Sequence, residues 1–237
     1  MLEESIATPL TERETQFARN SSQRRIGKMY VNYEDNRVFI NGRIVSDLKF
    51  SHEFYGEGFY EFNVEIPRKS GVYDVIPVIV SERIFDIEND YSGMAVSILG
   101  QYRSCNKNVG GKGILVLTVF AFEIEIEEYV FETKDNNSIL LNGYICKEPT
   151  YRRTPMGRDI ADVLLAVNRG NGKSDYIPCI FWGRNAVYVS RLDVGTKIGI
   201  SGRVQSRGYT KVMPDGKVLD RVAYEVSVSS LEVLKDE

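Results

Sequence analysis

The chain has 237 residues, 43% of them hydrophobic, and its 30 Lys and Arg against 33 Asp and Glu leave a net charge of -3. Length and apolar content predict two domains with real cores, and the absence of any run of about 18 apolar residues or of a basic, apolar start excludes a membrane helix and a secretory signal, which points to the cytoplasm. Cys105, Cys146 and Cys179 are far apart and form no C-x-x-C pair, and His52 is the single histidine; small fillers or free thiols and a packed or solvated ring are expected, with no disulfide framework, metal site, cofactor or Ser-His-Asp arrangement.

Residues 1–35 are charged, lack a sustained apolar period and predict a flexible or partly helical extension. From Asn36 the chain repeats itself. PRKSGVYDVIPVIVSE, residues 67–82, and NRGNGKSDYIPCIFWG, residues 168–183, match Arg68 with Arg169, Gly71 with Gly172, Asp74 with Asp175 and Ile76-Pro77 with Ile177-Pro178, all at an offset of 101. Asn36 and Asn137, Asn41-Gly42 and Asn142-Gly143, Gly56 and Gly157, and Arg83 and Arg184 keep that register. Beyond it the offset becomes 102, at Gly93 and Gly195, Gly100 and Gly202, Ser104 and Ser206, Ala121 and Ala223, and Glu123 and Glu225. A duplicated domain is predicted, one copy over 36–132 and the other over 133–237, the latter opening on the linker Thr133-Lys134-Asp135-Asn136.

The two copies differ in charge. Residues 1–136 hold 15 Lys and Arg against 22 Asp and Glu, a net of -7, and residues 137–237 hold 15 against 11, a net of +4. In the first copy KFSHEFYGEGFYEF places Phe50, Phe54, Tyr55, Phe59 and Tyr60 among Glu53, Glu57 and Glu61, which predicts interface or core packing. Its last strand, VFAFEIEIEEY, alternates apolar residues with Ala121, Glu123, Glu125 and Glu127, an acidic row that repels phosphate.

In the second copy, strand signals cover Ser138–Lys147, Asp159–Asn168, Asp175–Trp182, Thr196–Ser206 and Leu219–Val233. Between the third and fourth, Ala186, Val187, Val189 and Leu192 fall on one helical side. The layout predicts an all-β chain of two tandem OB-fold domains, five-stranded Greek-key barrels, each with a short helix between strands three and four. Such barrels commonly bind oligonucleotides or oligosaccharides.

Gly172-Lys173-Ser174 looks like the end of a phosphate-binding loop, which needs a first glycine five residues earlier and a helix afterwards. Val167 occupies the glycine position and DYIPCIFW reads as a strand, so the triplet is the tip of a hairpin. Gly110-Gly111-Lys112-Gly113 has no following Ser or Thr and fails likewise.

Strand alternation directs Tyr176, Pro178, Ile180 and Trp182 one way and Ile177, Cys179 and Phe181 into the core. On the next strand Arg203, Gln205, Arg207 and Tyr209 share a side, a basic row ending in an aromatic. Arg152, Arg153, Arg158, Arg169, Lys173 and Lys211 extend it at the hairpin tips. Unpaired bases stack on planar rings while cations follow the phosphates, so this face suits a single-stranded nucleic acid, DNA or RNA.

In order along the second copy stand an apolar strand with Asn142-Gly143, Glu148-Pro149-x-x-Arg152, Thr154-Pro155-x-Gly157-x-x-Ile160-Ala161, Trp182-Gly183-Arg184 and Gly202-x-Val204-x-Ser206-Arg207. Over nearly its whole length that copy resembles the bacterial single-stranded DNA-binding protein family. The resemblance implies stacking by Tyr176, Trp182 and Tyr209 and phosphate contacts from Arg153, Arg184 and Arg207, with Arg152, Arg169 and Lys173 behind them. A further stacking aromatic of some members falls near Asn171 and is absent. In the first copy Val75, Ser81 and Lys107 stand where the three rings should be, so that copy is expected to supply shape and oligomer contacts.

What the resemblance implies is a non-enzymatic, sequence-nonspecific protein that protects single-stranded DNA in replication, recombination or repair. Members with two OB-folds per chain assemble four as homodimers, so a homodimer is expected. The family's acidic C-terminal tip is absent from Leu234-Lys235-Asp236-Glu237, which weakens the expectation of docked replication or repair proteins. Two other readings stand beside it: an accessory or assembly OB protein acting through protein contacts, and an enzyme with a cryptic site, supported only by Gly172-Lys173-Ser174.

Overall fold

The computed structural model describes residues 35–109, 112–132, 134, 136–212, 216 and 218–235. All of the expected N-terminal extension except Asp35, and the glycines Gly110-Gly111, lie outside them. The chain is mostly β, because its β-branched and aromatic residues alternate with polar ones at the two-residue period of a half-buried strand. No helix among the described residues is long and apolar enough to cross a membrane.

The first half forms β1 (Asn36–Ile44), β2 (Lys49–Phe54), β3 (Glu57–Pro67), β4 (Tyr73–Ser81), β5 (Ala95–Val109) and β6 (Lys112–Glu127). The second forms β7 (Asn137–Ile145), β8 (Thr150–Arg153), β9 (Asp159–Asn168), β10 (Ser174–Trp182), a helix α1 (Gly183–Val189), β11 (Lys197–Val212) and β12 (Val218–Val233). β1 pairs with β3, β3 with β4, β4 in parallel with β6, β6 with β5 and β5 with β1, so the pairings return to their start. β7, β9, β10, β12 and β11 close in the same order, again with one parallel pair, β10 with β12. β2 and β8 hang outside these rings, each paired to one strand, and are the two ends of a twelve-stranded array.

Alternate residues fill the rings. Phe62, Ile76, Val78, Ile98 and Tyr102 are buried in the first, and Leu165, Ile177, Phe181, Val204 and Val226 in the second. The rings join through antiparallel β1 and β7, where Val38 lies opposite Ile139, Asn36 opposite Leu141 and Ile40 opposite Asn137. Val38 and Ile139 are equivalent in the repeat, so the contact is self-complementary about that pair. Asn41 donates its backbone N–H to the Asn136 carbonyl at 2.8 Å, and its counterpart Asn142 donates to the Asp35 carbonyl at 2.9 Å.

Three expectations are corrected. A helix between the third and fourth ring strands forms only in the second half; residues 82–94 turn instead. There Asp86 accepts from the Glu88 N–H at 3.0 Å and the Asn89 amide at 2.6 Å, and Asp90 accepts from the Ser92 N–H at 2.8 Å. Such local bonds offer the backbone an alternative to helix, whereas Ala186 and Val189 bury one side of α1. Arg152 and Arg153 sit on the edge strand β8 rather than on a turn. The register of the last strand also shifts. Tyr102 faces Val119 and Val204 faces Val226, so Ala121 is the counterpart of Val228 and Glu123 of Ser230, not Ala223 and Glu225. A longer connection, 213–217 against 110–111, hides this slip in the sequence.

Candidate nucleic-acid interface

On β10 the alternation holds with one exception. Ile177, Cys179 and Phe181 are buried, and Tyr176 and Trp182 stand 45% and 39% exposed at its two ends. Ile180 between them is also buried, so the outward aromatics form two separate platforms about 20 Å apart along the strand. The Trp182 indole N–H donates to Ser227 Oγ on β12 at 3.2 Å, which holds the ring by its edge. Gly183 follows at a φ of 55° and turns the chain into α1. Arg184 is thereby placed beside Trp182, exposed and with no partner among the described residues.

β11 carries a graded row. Arg203 donates to Asp74 at 3.0 Å and to Gln205 at 2.9 Å, and the buried Gln205 donates to Glu225 at 2.6 Å. Arg207 lies 3.6 Å from the same Glu225, half-exposed, with its guanidinium carbon 6.0 Å from the centre of the Tyr209 ring. Arg203 and Gln205 are therefore committed to the protein, and Arg207 and Tyr209 face outward.

The remaining cations divide. Arg152 binds Asp162 through Nε at 3.0 Å, and Arg153 lies 3.7 Å from Asp159, both solvent-exposed pairs. Lys173 is exposed at the hairpin tip. There Arg169 N–H donates to the Lys173 carbonyl at 2.7 Å and Gly172 has a φ of 75°, a turn mirrored by Arg68, Val72 and Gly71. Gly172-Lys173-Ser174 thus closes a hairpin, as its counterpart does.

Arg169 has a different role. Its guanidinium pairs with Asp175, which is 1% exposed, and donates to the Ser104 carbonyl at 2.9 Å. Asp175 also accepts from the Ser104 N–H, and the Tyr176 N–H donates to Ser104 Oγ at 2.7 Å. The mirror set is Arg68 on buried Asp74, the Arg68 guanidinium on the Ser206 carbonyl at 2.8 Å, the Ser206 N–H on Asp74 and the Val75 N–H on Ser206 Oγ at 2.9 Å. Each half thus clasps the other with the same residues. Arg–Asp bonding holds the Arg68 guanidinium above its ordinary pKa, and burial lowers Arg103 and Arg203. The repeated arginine and aspartate serve this clasp; a reading confined to one hairpin misses it, and their exact repetition beside Ser104 and Ser206 was the available signal.

In the first half the ring positions are differently filled. Ser81 Oγ donates to Glu57, and Phe120, the structural counterpart of Ser227, packs between Phe59 at 5.6 Å and the Arg103 guanidinium at 5.8 Å. His52 is exposed and stacks on Phe59 at 4.9 Å. Phe59 is buried, but Phe50 and Phe54 are each 62% exposed and Tyr55 is 90% exposed. Core packing thus fails for those three, because β2 is the end strand of the array and Tyr55 lies in the turn beyond it.

Fold and face together define a two-ring β protein with exposed aromatic and cationic side chains on its second ring. Residues 136–234 match the model of the Single-strand binding protein family. "Single-stranded DNA-binding protein 1" of Staphylococcus aureus (strain COL) is 40% identical over 80 residues, 31% of this chain and 48% of the relative. The single-stranded DNA-binding protein of Oceanobacillus iheyensis is 32% identical over 106 residues, 42% of this chain and 63% of the relative. The chain spans about half the length of the curated relatives it matches. The wild-type single-stranded DNA binding protein from Thermus aquaticus superposes with a TM-score of 0.68 at 19% identity, over 85% of this chain and 94% of that one, a likeness of fold reaching both halves.

Proposed function

We propose that each ring is an OB-fold domain and that the chain binds and protects single-stranded DNA, without sequence preference, in replication, recombination or repair. The observation that carries this is the second ring's face, where exposed Tyr176, Trp182 and Tyr209 stand with Arg184, unpartnered among the described residues, and outward Arg207. Each base-aromatic stack contributes about 1 to 3 kcal/mol, and every base has a face to offer, so affinity needs no sequence. Arg184, Arg207 and Lys173 follow the phosphates. Arg152 and Arg153 exchange Asp162 and Asp159 for phosphate, which makes them weaker contacts. Arg169, spent on Asp175 and Ser104, contributes by holding the two rings together.

The first ring acts as a scaffold: it lacks the three aromatics, Phe120 is covered by the Arg103 guanidinium, and its half is acidic. Two chains pair as a homodimer of four domains in the cytoplasm, and no catalytic chemistry is assigned. The same acidic first ring favours a second reading, an accessory OB protein working through protein contacts. Competition separates them. A 35-nucleotide dT strand should displace a labelled strand at concentrations where a duplex of equal length does not; equal displacement, or none, removes the DNA reading.

A further inference from the structure

The strand array ends in β2 on one side and β8 on the other, and both edges are exposed along their length. An exposed edge presents unpaired backbone N–H and C=O groups to another chain, and proteins usually blunt it with charge, proline or brevity. The two edges are repeat counterparts, with Phe50 matching Tyr151, Tyr55 matching Met156 and Glu57 matching Arg158. Their chemistry has diverged in opposite directions. Residues 49–61 carry one lysine against three glutamates, and residues 150–162 carry three arginines against two aspartates.

The β2 tip is costly as well as apolar. Tyr55 has a φ of 49° and is the one non-glycine residue with positive φ among the described residues. A bulky side chain is an outlier there, and Asn at that place followed by Gly56 is what a tight hairpin prefers. The strained ring is 90% exposed and meets Phe54 edge-on at 4.5 Å. It therefore contributes nothing to the core that would offset its backbone cost, and strain of this kind marks a residue kept for an outside contact. The other edge offers the complement, with Met156 83% exposed, Tyr151 45% exposed and Arg153 and Arg158 beside them.

We infer that the β2 edge of one chain docks on the β8 edge of a second copy, with Phe54 and Tyr55 set against Met156 and Tyr151, and Glu53 against Arg153 and Arg158. Charge selects this pairing: β2 against β2 opposes the glutamates, and β8 against β8 opposes the arginines. The contact joins unlike surfaces, so it leaves one edge open at each end and propagates from chain to chain. Resting on the DNA reading for what it covers, such a row lays successive copies along one strand.

Sedimentation velocity of the full chain without DNA tests the contact independently of DNA binding. Wild type should grow with concentration beyond the homodimer at low salt and shrink as salt rises. Glu53→Arg, which cancels the net negative charge of residues 49–61, and Arg153→Glu with Arg158→Glu, which leaves two acidic edges, should each weaken association at least about tenfold. Mixing the two variants should restore it, since each retains the edge the other needs and a misfolded chain restores nothing. Phe54→Ser with Tyr55→Asn should also weaken association while leaving Trp182 quenching by oligo-dT in dilute protein unchanged. A salt-independent species of fixed size, association indifferent to either charge variant, or a mixture no larger than its components overturns the inference. Failure of oligo-dT binding with association intact removes the DNA reading and leaves this contact standing.

Discussion

Truncating Asp175 to alanine tests whether the reciprocal clasp holds the rings together. The carboxylate is 1% exposed and takes up Arg169 and the Ser104 N–H, with an Arg103 nitrogen 3.9 Å away. Its loss strands two guanidiniums and a buried amide, and breaking a buried pair by removing one partner costs about 3 to 5 kcal/mol. The Arg169 and Arg103 side chains remain 23% and 24% exposed, so water relieves part of the cost and the lower end applies. With a slope of about 3 kcal/mol per molar urea for a chain of this size, the midpoint should fall by about 1 M. Asp74→Ala should match it, because Asp74 holds Arg68, Arg203 and the Ser206 N–H in the same way. Arg169→Met combined with Asp175→Leu should cost less than Asp175→Ala alone, since neither partner is stranded. A midpoint shift under about 0.3 M for Asp175→Ala, or a double variant worse than the single one, refutes the clasp.

Other substitutions separate packing from binding. A Cβ on Gly202 would lie 2.3 Å from the Ser227 carbonyl oxygen, so Gly202→Ala should cost about 1 to 3 kcal/mol in thermal unfolding; Gly170→Ala, with nothing within 4 Å, should be near neutral. Arg184→Glu and Arg207→Glu should each weaken oligo-dT binding at least about tenfold, whereas Arg83→Glu, on the acidic half and paired with Glu57 at 3.3 Å, should change it little in the same filter-binding assay. Burial pushes the Cys179 thiol far above its ordinary pKa while Cys105 is exposed. A thiol reagent at neutral pH should therefore modify Cys105 in the native protein and reach Cys179 only on unfolding.

The strands were legible because burial on one face imposes a period of two, and the helix α1 because Ala186 and Val189 recur at helical spacing. Tyr176 and Trp182 emerged for the same reason, as outward residues of a strand whose inward residues are plainly core. What escaped is long-range. Arg169 looks like one more surface cation beside Lys173, and only the approach of Ser104 and buried Asp175 turns it inward. Arg203 and Gln205 share the parity of Arg207, yet Asp74 and Glu225 claim them. Periodicity reports which face a residue takes, not what is packed against that face. The slip in the last strand was invisible because Ala121 with Ala223 and Glu123 with Glu225 match as letters, whereas cross-strand hydrogen bonding sets the true register.

Trp182 is the chain's single tryptophan, so its fluorescence reports on the proposed interface without interference. Oligo-dT titrated into wild type and Trp182→Ala at several salt concentrations measures both halves of the central claim. Stacking predicts strong quenching in wild type and a loss of about 1 to 3 kcal/mol in Trp182→Ala, followed there by labelled oligonucleotide. Phosphate contact by Arg184, Arg207 and Lys173 predicts log K falling against log salt with a slope of about -2, from roughly -0.7 per phosphate neutralised. No quenching together with affinity indifferent to salt would contradict the account.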